Sequence, residues 1–182
     1  MTHRSKPMDS PVGRLTLIGG DAGLAAVLWE TDTPARVPLQ ATALAGQHPI
    51  LNEAEQQLTE YFAGQRRSFS IPLDFVGTPF QKQVWQALIA IPYGETRTYA
   101  ELARQIGQPA AVRAVGAANG KNPISIIAPC HRVIGASGKL TGFAGGLAAK
   151  AWLLDLEGRT VGESASLPLF ALARPQPGPP VG

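Results

Sequence analysis

The chain has one cysteine, Cys130, and it stands in the stretch APCHRV (128–133), between a proline and a histidine. A lone cysteine is commonly a small buried hydrophobe. The second reading is a nucleophile, and a thiol becomes one when a nearby imidazole or positive charge helps it to lose its proton. Of the three histidines, His3 lies in the first few residues and His48 in a loop of the more acidic half. His131 is therefore the candidate base, its alternative being a surface loop histidine. Neighbouring residues on a regular strand point to opposite faces, so a Cys130–His131 partnership requires a turn or a bridging water. The Gly-rich stretch from Gly135 predicts a turn. A carboxylate that orients the imidazole would complete such a relay. Glu157 is the candidate, placed at the C-terminal end of the last expected helix, where a negative charge is disfavoured without a partner; Asp155 is its rival. One cysteine and scattered histidines do not supply metal-ligand spacing, so no metal site is expected.

The elements that must position these groups fall into two halves. Residues 12–29 alternate apolar with small or polar residues around Gly19-Gly20-Asp21, the pattern of a hairpin. Residues 31–50 read as loop. Residues 51–64 form an amphipathic helix with Leu51, Ala54, Leu58, Tyr61 and Phe62 on one face and Gly64 as its stop. Residues 69–75 read as a strand returning to the hairpin. Beyond Gly77 the pattern is helical. Thr78 caps a helix over 79–91, with Pro79 at its first position and Phe80, Val84, Leu88 and Ile91 as its apolar stripe. Thr98 and Glu101 make a capping box for the next helix. After Gly107-Gln108-Pro109, residues 110–119 form a second helix, which gives a helix-turn-helix. A short strand from 122 runs into the thiol. A loop with five glycines between 135 and 146 follows, then a final helix over 147–157 stopped by Gly158. The expected fold is α+β: a small N-terminal α/β domain (1–76), a mostly helical C-terminal domain (77–162) carrying the helix-turn-helix and the cysteine loop, and a Pro/Gly-rich tail (163–182). In that tail Leu167, Leu169 and Phe170 are apolar enough to pack, and the remainder is too rich in Pro and Gly to fold.

Charge divides along the same line. Residues 1–76 carry 6 Lys+Arg against 8 Asp+Glu, whereas residues 77–162 carry 9 against 4. A basic half is either a solvated face or the footprint of a nucleic-acid-binding module. With 45% hydrophobic and 16% charged residues the composition is that of an ordinary globular protein. No apolar run is long enough to span a bilayer, the start MTHRSKPMDSP lacks the core of a secretory signal, and one cysteine makes no internal disulfide. The cytoplasm is the expected compartment, with no membrane partner.

Four motifs occur in order: IPYGETRTYAELA (91–103), RAVGAANGKNPI (113–124), PCHRV (129–133) and GFAGGLAAKAWLLDLE (142–157). Together they resemble the O6-alkylguanine-DNA alkyltransferases, densely over roughly residues 77–158 and more loosely over the N-terminal half. The resemblance implies that Cys130 takes the alkyl group from guanine O6, irreversibly, once per molecule and without a cofactor, with O4-methylthymine left open as a second substrate. It implies that His131 deprotonates Cys130 through a water, that Glu157 orients His131, and that Tyr99 gives a proton to the leaving base. Asn122 resembles the asparagine that ties the helix-turn-helix to the active-site segment. Arg113 resembles the arginine that enters the base stack in place of a flipped nucleotide. Ala114, Ala117 and Ala118 with Gly116 supply a small-residue face for close approach to DNA, and Val133, Phe143 and Ala144 fall at substrate-binding positions. Phe143 and Ala144 depart from the tyrosine and serine of many relatives, which removes a side-chain hydroxyl contact. The implied partner is double-stranded DNA, bound in the minor groove with little sequence preference by a monomer. The small-residue face also has an alternative in tight helix packing, and Tyr99 one as an inward-packing aromatic. Two rivals remain open: a Cys-His hydrolase, which would need a distant histidine, and a DNA-binding regulator indifferent to Cys130.

Overall fold

A computed structural model describes residues 2–44 and 46–166. The N-terminal half is a four-stranded sheet with one helix. Its strands are β1 (Arg4–Met8), β2 (Leu15–Gly20), β3 (Gly23–Trp29) and β4 (Ala43–Leu44), in the spatial order β3-β2-β1-β4. β2 pairs antiparallel with both β1 and β3, and β4 lies parallel to β1. The hairpin closes through Gly23, whose φ of +147° and close approach to the Pro72 carbonyl leave no room for a side chain. β1 was not legible because RSKPM has no apolar alternation. Its Pro7 lacks an N–H and sits beyond the two residues that β4 pairs. Helix α1 (Pro49–Phe62) lays Leu51, Ala54, Leu58 and Tyr61 on the sheet side, with Phe62 half-buried at the rim, and Gly64 at φ +75° ends it.

Residues 69–75 are a correction. They form no strand but one bridge, Leu24 to Leu73, with Leu24 N–H donating to Pro72 O (2.8 Å) and Asp74 N–H to Leu24 O (2.8 Å). Pro72 has no donor with which to extend a ladder.

The C-terminal half is helical. α2 (Pro79–Ile89) and α3 (Tyr99–Gln105) both begin with capping boxes, from Thr78 with Gln81 and from Thr98 with Glu101. Gly107 at φ +76° turns the chain into α4 (Val112–Gly120). A two-residue parallel pairing of β5 (Arg97–Thr98) with β6 (Val133–Ile134) ties the entry of the helix-turn-helix to the segment after Cys130. The last helix, α5 (Leu147–Ser166), runs through Gly158 instead of stopping there. One helical glycine costs only about 1 kcal/mol against alanine, and Leu153, Leu156 and Glu157 anchor that helix in the interior. Glu157 is thus mid-helix, and the helix-end argument for its having a partner does not apply. The tail expectation, with Leu167, Leu169 and Phe170, lies outside the described residues.

One continuous core joins the halves. Leu24, Leu58 and Tyr61 from the first pack in the same cluster as Trp85, Leu88 and Leu153 from the second. Val27 on β3 bridges to Ile124, and its N–H donates to Pro123 O (2.9 Å), so the sheet directly holds the segment that leads to the cysteine.

Candidate active site

Residues 122–129 form no strand, contrary to the expectation. Asn122, fully buried, folds them back on themselves: its Nδ2 donates to Ala128 O (2.8 Å) and its Oδ1 accepts from Ile124 N–H (3.1 Å). Ile126 takes φ +76°, a left-handed conformation costly for a β-branched residue. The chain then enters a single 3₁₀ turn, Cys130–Arg132. The required turn therefore falls at the thiol itself rather than in the Gly-rich stretch. Cys130 is 4% exposed, at the floor of a pocket of about 120 Å³. Arg36, Asn119, Gly142, Phe143 and Ala144 line the rest of that pocket, with Gly120. Burial pushes the thiol pKa up, against lowering by Asn122, Arg36 and Lys150.

Behind the turn lies a buried charge cluster centred on Glu157. His131 Nε2 is 2.7 Å from Glu157 Oε2, and both side chains are essentially inaccessible. The same oxygen accepts from Tyr61 Oη–H (2.6 Å) and Arg132 Nη2 (3.0 Å). Oε1 accepts from Arg132 Nε (2.8 Å) and Gly94 N–H (3.2 Å). Burial alone would raise the carboxyl pKa, but the hydrogen bonds and charges of His131 and Arg132 bring it down to about 2. Burial lowers the His131 pKa, opposed by Glu157. The imidazole at neutral pH is therefore neutral, with its proton on Nε2 facing the carboxylate and a basic lone pair on Nδ1. Nδ1 is buried and bonds no protein group among the described residues. Asp155, the rival, is exposed and pairs with Arg159 (2.8 Å). No group of three or more His, Cys, Asp or Glu side chains capable of holding a metal occurs among the described residues.

Two family models cover most of the chain. Residues 4–75 match the 6-O-methylguanine DNA methyltransferase ribonuclease-like domain, and residues 79–159 match the DNA binding domain of the same proteins. The chain belongs to the 6-O-methylguanine DNA methyltransferase family. It is 50% identical over 164 residues to the methylated-DNA–protein-cysteine methyltransferase of Mycobacterium leprae, covering 89% of this chain and 96% of that one. The Methanosarcina acetivorans protein of the same name is 52% identical over 151 residues, covering 82% and 95%. Mycobacterium tuberculosis OGT in complex with DNA superposes with a TM-score of 0.77 at 50% identity, covering 88% of this chain and 94% of that one. As a member of this methyltransferase family, the chain joins a mixed α/β sheet domain to a helical DNA-binding domain.

The structure separates the remaining candidates by exposure. On α4, Arg113, Ala114 and Ala117 are exposed on one face, with Gly116 half-buried beside them. Ala118 is a correction: it is 3% exposed and faces inward, and its carbonyl accepts from Trp85 Nε1 (2.8 Å). Tyr99 opens α3 half-buried, its ring 3.8 Å from where a Cβ on Gly116 would stand, and its hydroxyl is 2.7 Å from Thr141 Oγ1. Phe143 and Ala144 line the Cys130 pocket, while Val133 is fully buried and its carbonyl accepts from Lys150 Nζ (2.7 Å). Phe143 packs edge-on against Trp29 from β3, with ring centroids 5.4 Å apart.

Sequence reasoning passed over Tyr61, Arg132, Lys150, Arg36 and Asn119. Tyr61 read as a core residue of α1, and its face was right, but its hydroxyl reaches a carboxylate 96 residues away. Arg132 carried a signal, since an arginine directly after the candidate base is a natural partner for the same carboxylate. Arg36 lies in an expected loop; it pairs with Asp32 and donates to Asn122 O (2.8 Å). Asn119 is 7% exposed and its Oδ1 bonds no protein group among the described residues.

Proposed function

We propose that this protein repairs DNA by direct reversal, moving the alkyl group of O6-alkylguanine onto Cys130 once per molecule. The observation that carries the reading is the buried His131–Glu157 pair at 2.7 Å, attached through one 3₁₀ turn to a cysteine at the floor of a pocket. Neutral His131 takes the thiol proton through a water on Nδ1, and Glu157 stabilises the resulting imidazolium. The thiolate sulfur attacks the alkyl carbon; the C–S bond forms as the bond to O6 breaks. The electron pair leaves with guanine, which Tyr99 protonates. The proton held on His131 balances the one Tyr99 gives up. A thioether has no easy route back to a thiol, so the protein is consumed, and the scheme uses no metal or cofactor.

The lesion must leave the duplex to reach a buried thiol. The exposed small-residue face of α4, with Arg113 near its start, supports insertion into the minor groove and replacement of the flipped base by the guanidinium. Asn122 acts as the hinge between α4 and the cysteine turn, and Phe143 and Ala144, which line the pocket, flank the base; Val133 is buried outside that lining. We assign residues 1–76 and 77–162 as the two domains and a monomer as the acting species. No described helix is long and apolar enough to cross a membrane, and we assign the cytoplasm as the compartment in which it acts. Incubation with duplex DNA holding O6-methylguanine should add one methyl to the intact mass, located on the peptide with Cys130. Continued turnover, or a methyl found elsewhere, overturns the proposal.

A further inference from the structure

Tyr61 delivers a hydroxyl from the N-terminal helix into the buried cluster, and the transfer scheme above does not use it. Its bond to Glu157 Oε2, at 2.6 Å, falls on the oxygen that also holds His131 Nε2 at 2.7 Å. Forming the thiolate requires this oxygen to stabilise an imidazolium. A donor already seated on it stabilises the carboxylate whether or not His131 is charged, and so reduces what the carboxylate gains when the imidazolium forms. We propose that Tyr61 is a positioning residue that tempers the His131–Glu157 pair and thereby holds Cys130 as the unreactive thiol while no lesion is bound. The inference rests on the transfer reading given above.

The surroundings favour a constant donor. Burial, and then the Glu157 charge, push the Tyr61 phenol well above its ordinary acidity range, so it keeps its proton. The other groups that face the cluster are Arg132, Tyr93 at 6.2 Å from the Tyr61 ring, and Arg67 stacked over Tyr93. Lys150 and Arg36 face Cys130. Tyr61→Phe leaves all of these in place and removes one oxygen. A protein that reacts once gains from such restraint, because a standing thiolate is open to soluble electrophiles and oxidants.

The test is the rate of Cys130 carbamidomethylation by iodoacetamide, followed by intact mass from about pH 7 to about pH 11, a window that extends above the ordinary thiol range because burial pushes this thiol up. In Tyr61→Phe the midpoint of the profile should fall by roughly half to one pH unit, making the thiol about three- to tenfold more reactive below the midpoint. Tyr93→Phe, which removes a hydroxyl that makes no bond to Glu157, should leave the midpoint where it is. Placing 3-fluorotyrosine at position 61 gives a more acidic donor and should raise the midpoint. An unmoved or raised midpoint in Tyr61→Phe, or an equal fall in Tyr93→Phe, overturns the inference. The wild-type protein is incubated in parallel with O6-methylguanine duplex. Failure to transfer there refutes the functional reading, whereas transfer with an unmoved Tyr61→Phe profile refutes the Tyr61 inference alone.

Discussion

Replacing Glu157 by glutamine keeps the shape of the side chain and removes the charge on which five hydrogen bonds converge. The carboxyl pKa falls from its ordinary 4.5 to about 2 on folding. That gap of about 2.5 pH units, at about 1.4 kcal/mol each, corresponds to roughly 3 kcal/mol of folding free energy at neutral pH. Its sign is fixed by linkage. A depressed carboxylate stabilises fully above pH 4.5 and loses that contribution as pH falls toward 2, because the unfolded chain binds the proton first. His131, with its pKa lowered by burial, acts in the same direction from its ordinary 6.5 downward. Glu157→Gln should therefore cost about 3 kcal/mol at pH 7, also the size expected when a buried pair is broken and Arg132 is left without its counter-charge. Its stability should then be less sensitive to acid between pH 4.5 and 2 than that of the wild type. Urea unfolding at a series of pH values reads both effects. Methyl transfer at a temperature where the variant is folded should slow by at least about a hundredfold, the lower end of what a positioned base contributes. A variant as stable as the wild type at pH 7 and with the same acid slope would show that Arg132 and His131 do not depend on this carboxylate.

Three further outcomes follow. Arg113→Ala should repair duplex lesions about a hundredfold more slowly yet react almost normally with free O6-alkylguanine base, because a few kcal/mol of unstacking is lost and the chemistry is untouched; single-turnover rates on both substrates decide it. Affinity for DNA should fall steeply with salt and vary little with sequence, and deletion of residues 173–182 should change neither affinity nor repair, as titrations at several salt concentrations will read. Asn122→Ala leaves the buried Ile124 N–H without a partner and takes one of two donors from Ala128 O, which keeps Cys130 N–H; it should cost about 2–4 kcal/mol by chemical denaturation, about 1–3 kcal/mol for the unbonded N–H and about 1 kcal/mol for the lost bond.

Local rules read well wherever the determinant was local. The Thr78 cap, the Thr98–Glu101 capping box, the Gly64 and Gly107 turns and the buried face of α1 were set by residues within one or two turns of each other, whereas the Gln81 side chain that completes a second box at Thr78 was passed over. The misreadings share a cause. β1 has no apolar alternation and forms because β2 offers it a ladder; residues 69–75 have the composition of a strand, but Pro72 cannot donate. Gly158 reads as a stop and is overridden by packing on either side of it. The strand expected before Cys130 is replaced by loops held by the two backbone bonds of Asn122 and by the Val27 N–H from β3 on Pro123 O.

The cysteine, histidine and glutamate could be picked out because few residues of those types were available to choose from. What sets their behaviour could not, because it arrives from distant parts of the chain. Glu157 on α5 accepts from Tyr61 on α1, from Gly94 after α2 and from Arg132 in the cysteine turn. The same holds at the pocket, where Arg36 from the loop after β3 grips Asn122 O, and Trp29 from β3 backs Phe143. Glu157 and Asn122 are buried polar groups that a core tolerates only when fully bonded. Their bonds are completed from both halves of the chain. The N-terminal sheet domain is therefore more than a support for the helical one: it supplies donors without which the carboxylate and the cysteine loop would lose part of their hydrogen bonding.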